Sequence, residues 1–185
     1  MTRQDLTRAA RALFAERGYA GVGTEEIVAR AGVTRGALYH HFDDKKDLFR
    51  VVHEELEQAL VAGIGDRLAG IDDPWDALVT GVRAFLDACT DPAMIRIALL
   101  DAPAVLGWAE WREIDARYGL GLITGGLQNA MDRGVFTPRE VQPLAHLLMG
   151  ALTEAAMVIA NASDHETARR EVEPPLVALL EGLRE

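Results

Sequence analysis

Eight residues between positions 24 and 45 carry the groups best suited to hydrogen bonding with a polyanion: Thr24, Thr34, Arg35, Gly36, Ala37, Tyr39, His40 and Lys45. Arg35, near the start of a short helical stretch, can donate two hydrogen bonds to a guanine edge or one to a phosphate. Tyr39 and His40, one turn further on, can donate to phosphate oxygens. Gly36 costs about 1 kcal/mol against alanine inside a helix, and with Ala37 it makes a small-residue surface that a backbone or a base edge can approach. Lys45, in the first turn of the next helix, combines its charge with free backbone N–H groups to hold another phosphate. This is the chemistry of reading a duplex without making or breaking bonds.

These side chains need elements to present them. Thr24 stands before Glu25 and Glu26 and then the apolar Ile27, Val28 and Ala31; a hydroxyl cap followed by first-turn carboxylates marks a helix start. Gly32 suits the left-handed backbone of a sharp turn, with Val33 plugging the gap beneath it. Thr34 then caps a helix of about residues 35–41, with Leu38 and Phe42 facing inward and Arg35, Gly36, Ala37, Tyr39 and His40 left outside. Asp44 reads as the cap of the helix after that. The layout is that of a helix-turn-helix whose second helix enters a DNA major groove. A preceding helix of about 4–17 offers Leu6, Ala9, Ala10, Leu13 and Phe14 as one packing stripe, with Arg3 and Arg8 either reaching phosphate or staying solvated.

The segment of about 6–49 resembles the DNA-binding domain of the tetracycline-repressor (TetR) family, with its glycine turn, hydroxyl-capped recognition helix ending in Leu-Tyr-x-His/Tyr-Phe, and following lysine. Here those are Gly32, Thr34, Leu38, Tyr39, His41, Phe42 and Lys45. Val28 departs from the small alanine usual at the helix crossing. Lys46 replaces a common acidic residue and is expected to add positive charge on the DNA side. The resemblance implies an all-α chain, with a three-helix DNA-binding domain over 1–46 and a helical effector-binding and dimerisation domain over 47–185.

A chain of 185 residues is long enough for that division, and 49% hydrophobic with 26% charged residues describes an ordinary globular protein. The formal charge of -10 looks wrong for a DNA binder until it is split: residues 1–55 hold nine Lys/Arg and nine Asp/Glu, leaving ten against twenty for the rest. The acidic part is thus kept away from the duplex, and specific binding rests on a local patch used in two copies. No apolar run reads as a membrane span and the N-terminal residues lack the uninterrupted apolar core of a signal peptide, so a cytoplasmic protein without membrane partners is expected. Cys89 is the only cysteine, which rules out an intrachain disulfide.

Further along, Leu48, Val51, Val52, Leu56, Leu60 and Ile64 keep helical register for about five turns, until Gly63, Gly65 and Gly70 are expected to loosen it. Asp72-Asp73-Pro74 opens a helix through Cys89, and Asp91-Pro92 another that Ala102-Pro103 breaks. A long segment of about 104–133 carries glycines at 119, 121, 125 and 126 as expected bends. The last two helices read as about 138–162 and 164–183. The former is apolar on several faces, as a helix buried on both sides by a partner chain would be. Pro174-Pro175 predicts a kink or a fresh helix start. The resemblance places these two helices in a four-helix bundle between two copies, hence a homodimer.

The resemblance also implies a ligand cavity among the middle helices. Phe85, Cys89, Met94, Trp108, Trp111, Arg112, Tyr118, His146, Met149 and Thr153 offer it a lining, suited to a small, mainly apolar effector of unknown identity with one or two polar handles. The same residues also describe a packed core. No catalytic constellation is found: Ser163 is the only serine, the five histidines show no metal-ligand spacing with carboxylates, and no glycine loop cradles a phosphate, so no enzyme, metal or cofactor is expected. The reading is a homodimeric repressor, released from a double-stranded DNA operator by the effector. Its rival is a helical small-molecule-binding protein with a vestigial DNA-binding unit.

Overall fold

Gly23, not Thr24, caps the first helix of the helix-turn-helix: the Gly23 N–H donates to Glu26 Oε2 at 2.9 Å, and Thr24 is already helical. A glutamate three residues into the helix reaches back to the cap N–H, so no hydroxyl is required there. The computed structural model describes residues 2–184. Among them the helices are α1 (Thr2–Arg17), α2 (Thr24–Ala31), α3 (Arg35–His41), α4 (Lys45–Leu68), α5 (Pro74–Ala88), a π-helix (Met94–Asp101), α6 (Ala102–Leu106), α7 (Trp108–Asp132), α8 (Val141–Asn161) and α9 (His165–Glu181), with no strand.

Two compact units emerge, and they divide the chain differently from a cut at residue 46. The first comprises residues 1–57 together with 91–112; the second comprises 58–90 and 113–185. The core of the first unit is built by Leu6, Phe14, Ile27, Leu38, Leu48 and Phe49, each fully buried. Phe14 and Tyr19 both set their rings against Phe49, at centroid distances of 5.3 and 5.1 Å. Burying a phenylalanine of this kind stabilises the fold by roughly 1.5–3 kcal/mol.

Residues 91–112 belong to this unit because they pack on α1. Asp101 Oδ2 accepts from the Tyr19 N–H at 2.6 Å, and Arg96 lies 3.5 Å from the same carboxylate oxygen. A side chain at Gly18 is strained by its φ of 71°, and the end of the Arg96 guanidinium, 2.0 Å from where a Cβ would lie, would have to swing aside. Where an ordinary helix was expected from Asp91, the chain forms a π-helix that runs directly into α6. Asp91 Oδ1 caps its start by accepting from the Ala93 and Met94 N–H groups. Ala102 N–H donates five residues back to Ile97 O at its end. Pro103, at the start of α6, lacks the N–H that an unbroken α-helix would use, and the wider winding lies directly upstream of it.

In the second unit α5, α8 and α9 pack on one another. Leu86, Leu127, Ala130 and Ile159 are fully buried, and Gly126 of α7 lets Leu78 of α5 come within 3.1 Å of where a Cβ would stand. Arg169 bridges Asp87 and Glu173; Arg67 reaches Asp87 at 2.6 Å and Arg83 reaches Glu173 at 2.7 Å. The two carboxylates are held below their ordinary range, Glu173 by its hydrogen bonds to Arg83 and Arg169, Asp87 by Arg67 and Arg169 against the opposing pull of burial.

Three helices are continuous through glycines or prolines singled out in the sequence. α4 runs through Gly63 and Gly65 to Leu68, and α7 is one helix through all four of its glycines. A glycine costs a helix only about 1 kcal/mol, which apolar burial on either side outweighs. α9 likewise runs through Pro174 and Pro175 without a fresh start. α8 corrects the absence of a span-like segment: its 21 residues are long and apolar enough to cross a membrane by length and composition. In the fold it packs on α9 and α5.

Candidate nucleic-acid interface

Local sequence builds the recognition unit with few contacts. Gly32 ends α2 in the left-handed conformation, φ 68°, and the Val33 N–H closes the turn on Val28 O at 3.0 Å. Thr34 Oγ1 accepts from the Ala37 N–H at 3.3 Å, the expected cap of α3. Because that bond uses an oxygen lone pair, the hydroxyl proton is left to donate outward. Asp44 Oδ1 accepts from the Asp47 N–H at 2.7 Å and caps α4 as expected. Leu38 and Phe42 are buried beneath, so α3 is fixed by one face and shows the other to solvent.

That outer face brings together Thr34, Arg35, Gly36, Tyr39 and His40, all exposed, with Ala37 half-buried beside them. A Cβ on Gly36 would meet only Thr34 Oγ1, at 3.9 Å, so nothing in the chain requires a glycine there. Arg35 extends over the Tyr39 ring, 5.6 Å from its centroid, and pairs with Glu25 Oε1 at 2.9 Å. Tyr39 first, then Glu25, hold its guanidinium firmly charged. Both members of the Arg35–Glu25 pair are solvent-exposed, and exposed pairs of this kind exchange readily for a better partner.

Lys45, expected at a phosphate, is engaged within the protein. Its Nζ donates to the carbonyls of Tyr19 and Val22, at 3.0 and 2.9 Å, and lies over the Tyr19 ring. The ammonium is spent on the loop between α1 and α2, and burial pushes its pKa down. Lys46 is corrected too, since it faces Glu110 at 3.4 Å instead of adding free charge to the DNA side. Arg50 joins the same carboxylate at 2.6 Å and holds Glu110 below its ordinary range. Arg3 sits over the Phe42 ring, 5.2 Å from the centroid, at the edge of the α3 face.

The ten expected effector contacts fare unevenly. Cys89, Met94, Trp111 and Met149 are buried, and Phe85, Arg112, Tyr118 and Thr153 are half-buried. Trp108, 65% exposed, and His146, also exposed, lie on the surface and do not line an interior cavity. Trp108 meets the buried Trp111 ring at a tilt of 57°, with 5.0 Å between centroids. His146 falls on the same side of α8 as the exposed Leu147 and Gly150, a placement that an all-round apolar sequence could not reveal. A groove of about 590 Å³ opens in the second unit beside Trp75, Val79, Arg83 and Val177, and none of the ten residues lines it.

The sequence reading also missed one pair. His53 and Glu57 lie four residues apart on α4, with Nδ1 and Oε1 3.9 Å apart and both residues buried. The spacing was available as a signal; the histidine's full burial was not. Burial pushes the His53 pKa down to about 4, so the ring is neutral near pH 7.

Residues 6–52 match the family described as "Bacterial regulatory proteins, tetR family", and residues 75–183 match "Tetracyclin repressor-like, C-terminal domain". The chain is 29% identical over 160 residues to the Tn10 TetC protein of Escherichia coli, covering 86% of this chain and 81% of that one. It is 41% identical over 113 residues to the transcriptional repressor AcnR of Corynebacterium glutamicum, covering 57% of this chain and 60% of AcnR. A crystal structure of a TetR-family regulator from Pectobacterium atrosepticum superposes with a TM-score of 0.89 at 36% identity, covering 98% of this chain and 93% of that one.

Proposed function

The chain belongs to the TetR family of DNA-binding transcriptional regulators, and on that premise we propose that it acts as a homodimeric repressor whose operator contacts are made by the outer face of α3. The observation that carries the reading is that face: Thr34, Arg35, Tyr39 and His40 stand exposed around a glycine that no packing contact explains. Arg35 supplies base discrimination, Tyr39, His40 and the Thr34 hydroxyl supply phosphate contacts, and Gly36 with Ala37 sets how closely the helix lies in the groove. Thr24 flanks the same face from the first turn of α2.

Dimerisation through α8 and α9 is supported by Leu147 and Leu179, 73% and 61% exposed, with Val158 at 46%. Side chains of this kind on adjoining helices are the residue types that a two-fold interface covers. Two α3 helices would then address half-sites about one DNA turn, roughly 34–36 Å, apart or a multiple of it. A small, mainly apolar effector among the middle helices would lower operator affinity by favouring a different spacing. A coupling of about 1–3 kcal/mol corresponds to roughly 5- to 150-fold relief. We read the protein as a cytoplasmic binding protein and not as an enzyme.

A reporter assay tests repression directly. Transcription from a promoter carrying the bound site should fall when the chain is expressed; unchanged or raised transcription overturns the reading.

A further inference from the structure

His53 is the group that neither the DNA face nor the packing accounts for. It lies on α4 with no exposed surface, and neither ring nitrogen has a hydrogen-bond partner. Buried polar atoms in native proteins are almost always partnered, and an exception marks a missing water, ion or ligand. One helical turn along, Glu57, 8% exposed, turns Oε1 toward Nδ1 at 3.9 Å. That distance is too long for a hydrogen bond, so the carboxylate does not satisfy the ring.

Residues four apart on a helix share a face, and this face carries two electron-pair donors, an imidazole nitrogen and a carboxylate oxygen. A cation between them gives the His53 ring the partner it lacks and takes a Glu57 oxygen as its second ligand. We propose that His53 and Glu57 chelate a divalent transition-metal ion of the zinc(II) class on α4. Zinc–nitrogen and zinc–oxygen bonds of about 2.0–2.2 Å span the gap, and a tetrahedral angle would draw the two donors to roughly 3.4 Å, a small side-chain adjustment. Imidazole in the donor set selects zinc, cobalt, nickel or copper over magnesium and calcium. Burial distinguishes this pair from surface carboxylates that gather cations loosely. The site stands apart from α3 and does not depend on the effector reading.

The test uses the full chain stripped of metal with EDTA. It is titrated with Co²⁺ alone, read by visible d–d absorption, and then with Zn²⁺ in competition; metal retained after desalting is counted per chain. One Co²⁺ per chain, displaced by Zn²⁺, is expected, with binding weakened about 100-fold or more in His53→Leu and in Glu57→Gln, beyond what loss of a merely supporting group costs. Glu57→Gln keeps the side chain's shape and decides the matter if His53→Leu does not fold. Absence of a d–d band and of retained metal in the wild-type chain overturns the proposal. So does binding equal to wild type in both variants, which would put the ion elsewhere.

Discussion

The Lys45 ammonium lies 3.9 Å from the centroid of the Tyr19 ring and donates to the Tyr19 carbonyl at 3.0 Å. The first residue of α4 is thereby tied to the loop between α1 and α2, and a second bond to Val22 O completes the tie. Hydrogen bonds from a charged group contribute about 1.5–3 kcal/mol each, and their loss takes the ammonium from Val22 O while Tyr19 O keeps only the Val22 N–H at 3.4 Å. Lys45→Met should therefore lower unfolding stability in urea by about 2–3 kcal/mol. The salt dependence of DNA binding should stay close to wild type, because the ammonium is engaged by the Tyr19 and Val22 carbonyls. A variant of wild-type stability with a flattened salt slope would return Lys45 to the DNA.

Gly36 separates folding from binding. With open space around its Cβ position, Gly36→Ala should raise stability by about 0.5–1 kcal/mol through helix propensity. The same methyl group stands on the face offered to the groove, so operator affinity should fall. Thermal unfolding and DNA titration of one variant read both signs; a stabilised variant with undiminished affinity would show that α3 does not seat at Gly36.

How far the sequence reached depends on whether a feature is local. The turn at Gly32, the caps at Thr34 and Asp44 and the limits of α3 are set by a few adjacent residues, and all were legible. The fate of Lys45 and Lys46 was not, because it depends on Tyr19, Val22 and Glu110, the last more than sixty positions away. Thr24 was misread as a cap because Glu26 can serve a glycine cap equally well. The glycines of α4 were expected to loosen that helix and Pro174 allowed a fresh helix start, yet α4 and α9 are each continuous through these residues. Trp108 and Trp111 show the limit of periodicity: three residues apart, they differ from 65% to 1% exposed.

The apolar surface of α8 and α9 makes a prediction about assembly. Leu147→Glu and Leu179→Glu each place a charge where the proposed two-fold contact would bury it, whereas in the isolated chain both positions are exposed. Sedimentation should show monomers for either variant, with helical content unchanged and operator binding weakened through the loss of paired half-sites. Intact dimers would move the interface elsewhere.

His53 makes stability fall on acidification. Its folded pKa of about 4 lies below the ordinary value of 6.5, so between these values the unfolded chain binds the extra proton. Stability is complete above about pH 6.5 and declines as pH falls toward 4, by on the order of 3 kcal/mol. Unfolding of the metal-free protein at stepped pH should show this decline, with a flatter profile in His53→Leu. Identical profiles would mean that another group governs the window.

The most direct measurement is competitive binding of the wild-type chain and Arg35→Ala to duplexes selected by the wild type from a random pool, at several salt concentrations. The wild type should select a two-fold symmetric site, and Arg35→Ala should lose about 1–3 kcal/mol of discrimination at one base pair of each half-site while keeping its preference elsewhere. Selection of no sequence by the wild type, or an unchanged base preference in Arg35→Ala, would contradict the assignment of α3 to the groove.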